Sequence, residues 1–378
     1  MLLMNFLSWS MDLIHRYGVY FILWLQKVLT EDQSQRMVSI TQLGDSQFLT
    51  MYIFPLISAV NGNLFIRVVL TTALVDMINN ILKWVLRGER PYWWVHEAAD
   101  NADLLALKQY PLTCETGPGS PSGHAMLTSS IWFIILSAYM RCVVLYSRRR
   151  KTLTIIIWTL YLTLFTVVST SRLFIAAHFP HQVIAGGISG IIIGWYFTKI
   201  PILRFEPKHY MQILGAVCLF AVVVYAGLPI FGLDPAWSVY YARKWCQNPA
   251  WIHLASSPMS AMFRDCGAIV GLALARWWEP DLVSNNLVHK DGREIVTALI
   301  SFVCVQICAF FPVFSPNILV YYLCVFAKYV LISFVAIAVV PKIVKISMNL
   351  KEFPITQETK IKEIVELTRR KRKMTAGF

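Results

Sequence analysis

Three short segments gather the side chains that could handle a phosphate group: Lys83 to Pro91, Cys114 to His124, and Ser171 to Gln182. Leading into the first, Asp76, Asn80, Lys83, Arg87 and Arg90 recur at steps of three or four, which predicts one polar helical face ending in cations. A polar stripe on an apolar helix needs a cavity or a partner, and three cations suit a multiply charged anion. For Arg87 alone, snorkelling to a membrane interface would serve as well. The second segment is a Gly/Pro/Ser turn running into an apolar stretch. A helix starting there presents free N–H groups and the positive end of its dipole to an anion. Ser122 can cap that helix, Gly123 lets an anion approach the backbone, and His124 falls in the first turn. An ordinary capped helix has the same pattern. The third segment supplies Arg172, whose guanidinium can hold two phosphate oxygens at once. It also supplies His178, an imidazole able to attack phosphorus when a partner on its other ring nitrogen fixes the tautomer.

The elements that must position these groups are membrane helices. The chain has 378 residues, 57% of them hydrophobic and only 15% charged, against about a quarter charged in soluble domains. The apolar residues come in non-alternating blocks of about twenty, the length that crosses a bilayer as a helix. The expected fold is an all-α polytopic bundle of nine spans, near 37–57, 64–86, 122–142, 152–170, 178–198, 210–229, 257–276, 295–314 and 318–341. Two of these carry charge, Asp45 in one and Arg264 with Asp265 in another. The first 35 residues read as an amphipathic segment lying on the lipid surface. Residues 1–345 form one membrane domain, and 346–378 a basic tail ending in the run Arg369 to Lys373.

Lys and Arg concentrate in the loops near 141–151 and 199–208 and in that tail, which marks this side as cytosolic. The net charge of +13 follows from that asymmetry and points to the lipid surface rather than to nucleic acid. The three polar segments and the N-terminus fall on the opposite side. Of eight cysteines, only Cys114 and Cys246 lie in loops of that side, where they can pair or remain free thiols.

Lys83 with Arg90-Pro91, then Pro121-Ser122-Gly123-His124, then Ser171-Arg172 with His178 resembles the signature of the type-2 phosphatidate phosphatase and vanadium haloperoxidase superfamily. The flanking stretches Arg90–Val95, Pro111–Met126, Ala176–Gln182, Lys244–Cys246 and Trp251–His253 are similar to its glucose-6-phosphatase branch. That resemblance implies a type-2 phosphatidate phosphatase-like helical core and hydrolysis of glucose 6-phosphate, without a metal or cofactor. It implies that Lys83, Arg90, Arg172 and the Ser122 and Gly123 amides bind phosphate, that His178 is the nucleophile, and that His124 is the general acid and base. Gln182 departs from the superfamily's usual Asp, which would orient the nucleophile; an amide can fix the tautomer but adds no charge. Glu115 and His181 adjoin the motifs and are candidates to contact sugar hydroxyls. The resemblance also implies an endoplasmic reticulum membrane location, a lumenal site, and coupling to a glucose 6-phosphate transporter. A phosphatase of another sugar or lipid phosphate shares the same core motif, and an inactive paralogue can retain it. A transport path lined by Asp45, Asp76 and Lys328 would not need the two histidines.

Overall fold

The computed structural model describes residues 2–29, 31–98, 102–142, 144–279, 293–311, 313 and 317–347. These residues form helices and connecting loops, with no strand among them. In chain order the helices are α1 (Leu2–Val28), α2 (Glu31–Thr41), α3 (Ser46–Phe48), α4 (Phe54–Val60), α5 (Gly62–Leu86), α6 (Pro91–Glu97), α7 (Gly123–Cys142) and α8 (Arg150–Phe174). They continue with α9 (Pro180–Lys199), α10 (Pro207–Gly227), α11 (Trp237–Trp245), α12 (Pro258–Trp278), α13 (Arg293–Phe310), α14 (Ile318–Phe334) and α15 (Val340–Ser347). The chain divides into two units, Met1–Pro341 and Lys342–Phe378. The basic run Arg369–Lys373 and the loop near 280–292 lie outside the described residues.

The all-α membrane fold stands, but the count of nine spans is not reproduced. Among the described residues, five helical stretches are long and apolar enough to cross by themselves: Gly62–Glu97, Gly123–Arg141, Arg150–Phe174, Pro207–Phe231 and Ile318–Val344. Ser46–Val60 and Ile295–Phe310 are shorter. The expected span near 37–57 is a series of short pieces: α2 gives way to a 3-10 turn at Gln42–Gly44, then α3, a π turn at Leu49–Ile53 and α4. The break falls at Asp45, whose backbone is extended and whose carboxylate accepts from the Gln47 N–H. Interrupted backbone is tolerated in a membrane protein where it lines a cavity, and Asp45 does so.

α5 is the central helix, packed against α7 on one side and α12 on another. Phe65, Ile66, Val69, Leu70 and Val75 are buried along it, together with polar residues that include Asp76, Asn79, Asn80 and Lys83 toward its C-terminal half. α7 runs close along α9, and glycines permit that approach. A Cβ at Gly186, Gly190 or Gly194 would strike the backbone of Ser122, Met126 or Ser130 on the facing segment. The four-residue spacing puts all three on one face, the small-residue arrangement that lets membrane helices touch. α1 buries His15, Val19 and Ile22 and exposes Trp9, Tyr17 and Trp24, the pattern of an interfacial helix. Gln26 at its end donates to the carbonyls of Phe174 (2.7 Å) and Lys108 (3.0 Å).

Because α7 and α9 begin beside the polar segments, their contact should control both stability and activity. Gly190→Val should cost about 1–3 kcal/mol through overpacking, read as a lower melting temperature of the detergent-purified protein with parallel loss of phosphatase activity. Ile192→Val, at an exposed position of the same helix, should leave both within error.

Candidate active site

α5 ends at Leu86 because the chain there contains Gly88 and Pro91, and Arg87 takes a left-handed conformation (φ 48°) as its C-cap. Gly88 packs on Ser120, leaving no room for a side chain, and its carbonyl accepts from the Gly119 N–H at 2.7 Å. Arg90 is the extended residue before α6, and Pro91 starts that helix, where its missing N–H matters least. The expected five-residue helical face is therefore corrected to three residues, Asp76, Asn80 and Lys83. Arg87 does not join the anion site. It donates to the Asp234 carbonyl at 2.8 Å, and its guanidinium lies 5.0 Å over the Trp237 ring.

Arg90 and Arg172 come together from segments eighty residues apart, and both are fully buried. Glu115 joins them, one carboxylate oxygen 2.9 Å from Arg90 Nη2 and the other bonded to Arg172 Nη2. Burial alone would raise the Glu115 pKa, but the Arg172 and Arg90 guanidinium groups, with His124 and Lys83 nearby, outweigh it and hold the carboxyl well below the usual range. Arg90 also donates to the carbonyls of Gly117 (2.7 Å), Ala177 (2.9 Å) and Pro118 (3.2 Å). Most of its donors thus hold the surrounding loops. Arg172 donates to Thr41 Oγ1 at 3.0 Å, and its Nε has no partner among the described residues.

His178 is fully buried, with Nδ1 2.8 Å from the Gly119 carbonyl. A carbonyl can only accept, so Nδ1 carries the proton and Nε2 the lone pair; Nε2 has no partner among the described residues. Gln182, expected to fix the tautomer, is the more distant contact at 3.4 Å. Its Oε1 accepts from the Phe179 N–H and its Nε2 donates to the Glu89 carbonyl at 2.6 Å. The amide thus braces the loops around the imidazole, while a backbone oxygen orients it. Sequence reading missed Gly119, because a carbonyl has no side-chain letter; only the need for a residue without Cβ, wedged between Glu89 and Gln182, marks the position.

Lys83 is buried, makes no hydrogen bond or ion pair among the described residues, and lies about 4.0 Å from where a Cβ on Gly123 would stand. His124 sits in the first turn of α7, as expected. The Ser122 expectation is corrected: its N–H is already taken by the Gln182 carbonyl at 3.0 Å, and its hydroxyl makes no cap. Gly123 remains at the helix start. His181 stands apart from the cavity, in an aromatic group with Phe179 and His15. Lys83, Gly123, His124, Glu115 and Arg172 line one cavity of about 490 Å3, which extends to Asp45, Asp76, Asn80 and Arg264. Cys114 and Cys246 form a disulfide with Cα atoms 5.8 Å apart, tying the loop of Glu115 to the loop that brings Trp251 and His253 to the cavity. Arg90 and His178, both fully buried, are not among the residues lining that cavity, whose wall supplies the cations Lys83 and Arg172 and the His124 imidazole.

Residues 64–206 match the PAP2 superfamily. Glucose-6-phosphatase 2 of Mus musculus is 34% identical over 90% of this chain and 98% of its own length. Glucose-6-phosphatase 3 of Bos taurus is 35% identical over 81% of this chain and 88% of its own. Glucose-6-phosphatase catalytic subunit 1 of Haplochromis nubilus is 37% identical over 70% of this chain and 76% of its own.

Removing one partner of a buried ion pair strands the other charge, at about 3–5 kcal/mol. Glu115→Ala should therefore lower the melting temperature markedly, and added inorganic phosphate or vanadate should restore more of it in the variant than in the unaltered protein. An equal shift in both proteins would show that the two arginines do not receive an oxyanion.

Proposed function

The chain belongs to the glucose-6-phosphatase family and is a membrane-embedded phosphoric monoester hydrolase, and from that premise we propose that it cleaves glucose 6-phosphate through a phosphohistidine at His178. The observation that carries this reading is the fixed tautomer of His178, with Nδ1 on the Gly119 carbonyl and Nε2 left with its lone pair. Nε2 attacks phosphorus in line, and the bond to the sugar oxygen breaks as the N–P bond forms. His124, protonated, gives its proton to the departing oxygen. Water then attacks phosphorus with His124 as base, the N–P bond breaks, and phosphate leaves. Lys83, Arg172, the remaining donors of Arg90 and the Gly123 amide hold the equatorial oxygens, a stabilisation that grows with charge in the transition state. Glu115 occupies both guanidinium groups in the structure, so the substrate phosphate takes its place there. The freed carboxylate, on the cavity wall, is then available to a sugar hydroxyl.

Residues 1–345 form the phosphatase domain and 346–378 its basic tail. The site faces the lumen of the endoplasmic reticulum and the tail faces the cytosol. The Cys114–Cys246 disulfide beside the site supports this orientation, since such bonds persist in oxidising compartments. The distribution of Lys and Arg supports it independently. A lumenal site must be supplied across the membrane, which makes a glucose 6-phosphate transporter the functional partner.

His178→Ala should abolish hydrolysis and the acid-labile, alkali-stable phosphoenzyme trapped by acid quenching of labelled substrate. His124→Ala should slow turnover by about two to four orders of magnitude. Phosphoenzyme at the original level in His178→Ala would overturn the mechanism. In sealed microsomes, protease should remove a tag placed after Phe378 without detergent. A cysteine introduced near residue 100 should resist an impermeant reagent until the membrane is opened.

A further inference from the structure

The cavity lined by the phosphate-binding cations Lys83 and Arg172 continues into a polar wall that the catalytic steps do not use. Its floor is the inward face of α5, where Asn80 and Asp76 precede Lys83 by one and two helical turns. They stand roughly 4.5 and 10.5 Å from it along the axis, all three lining the same cavity. Asn80 is 3% exposed, and its amide makes no hydrogen bond among the described residues, although its Nδ2 is buried. An amide in that condition within an apolar helix is unfavourable unless a hydrogen-bonding ligand meets it. Asp76 is held by Arg264 of α12, whose Nε lies 3.3 Å from Asp265. Asp45 approaches from the break between α2 and α3. One of its oxygens caps α3 through the Gln47 N–H at 2.8 Å, and the other makes no hydrogen bond or ion pair among the described residues.

We propose that Asn80, Asp76 and Asp45 form the subsite that reads the hydroxyl groups of a sugar phosphate, with Arg264 as the positioning residue that holds Asp76. This inference rests on the functional reading above and deepens it, because it assigns the residues that separate a sugar phosphate from other phosphate monoesters. A hydroxyl both donates and accepts. Carboxylates at Asp45 and Asp76 accept from hydroxyl protons, and the Asn80 amide donates to a hydroxyl oxygen. An acyl chain in the same place would remove water from two carboxylates and an unpaired amide and replace none of their hydrogen bonds. The wall therefore selects in both directions, favouring a polyol and opposing a lipid tail. A cavity of about 490 Å3 falls within the usual range for small-molecule sites, about 300–1,000 Å3. The helical spacing puts the polar groups in line with Lys83, as a sugar esterified at one end requires.

The test compares kcat/KM for glucose 6-phosphate with that for p-nitrophenyl phosphate, which has no sugar hydroxyls, and for short-chain phosphatidic acid, using the purified full chain. Asn80→Ala and Asp45→Asn should each lower the ratio of glucose 6-phosphate to p-nitrophenyl phosphate by about tenfold or more, chiefly through KM. Arg264→Ala should lower the same ratio and Arg264→Lys should recover part of it, which a purely structural defect would not give. Should a variant fold poorly, the ratio still reports, because it is taken within one preparation. A ratio that stays constant in every variant, with glucose 6-phosphate still the preferred substrate of the unaltered protein, would overturn the subsite alone. Preference of the unaltered protein for phosphatidic acid would overturn the functional reading and this inference together.

Discussion

The Glu115 carboxylate between the Arg90 and Arg172 guanidinium groups is the contact around which the site is organised. Both arginines are fully buried, and an uncompensated buried cation is strongly unfavourable. The ion triad therefore requires three segments to meet: the turn after α5, the loop before α7 and the end of α8. Arg90 extends the requirement by binding the carbonyls of Gly117, Pro118 and Ala177. Those bonds shape the two loops that flank His178. The same carboxylate marks where an oxyanion gains most, since a phosphate group can satisfy both guanidinium groups in its place.

Orientation of His178 depends on that loop shape rather than on a side chain. The Gly119 carbonyl reaches Nδ1 only because Gly119 sits close to Glu89 and Gln182, where a Cβ would not fit. Gln182 then acts at one remove, joining the Glu89 carbonyl to the Phe179 amide. A neutral carbonyl and amide leave the imidazole without the extra negative charge that a carboxylate would add. The positive surroundings of His178 come instead from Arg90, Arg172 and Lys83, the groups that hold phosphate in the proposed mechanism.

The bundle makes this polar centre affordable by keeping it off the lipid. α5 places Asp76, Asn80 and Lys83 on the cavity while its other faces pack against apolar neighbours. The break at Asp45, between the Gln42–Gly44 turn and α3, places its carboxylate on the same cavity. Close contact of α7 with α9, through Gly186, Gly190 and Gly194, sets His124 and Gln182 at neighbouring helix starts. The disulfide adds a covalent tie between the loops of Glu115 and Trp251.

Residue type and spacing alone determined the membrane class and many helix positions, because apolar block length and helical periodicity are local properties. Lys83, His124, Arg172 and His178 stood out together through their resemblance to the superfamily signature, since each alone fits an ordinary structural role. What tertiary structure decided was which of them share a space. Arg87 and Arg90 look equivalent in the chain, yet a left-handed residue between two helices sends one to Trp237 and the other into the core. Ser122 looked like an anion donor until the Gln182 carbonyl, sixty residues away in the chain, took its N–H. The Cys114–Cys246 pairing, the Glu115 bridge and the Gly119 carbonyl join positions far apart in sequence, and the last is a backbone atom with no letter of its own. Such contacts are set by how loops converge after helices pack, a non-local outcome that no single stretch of residues encodes.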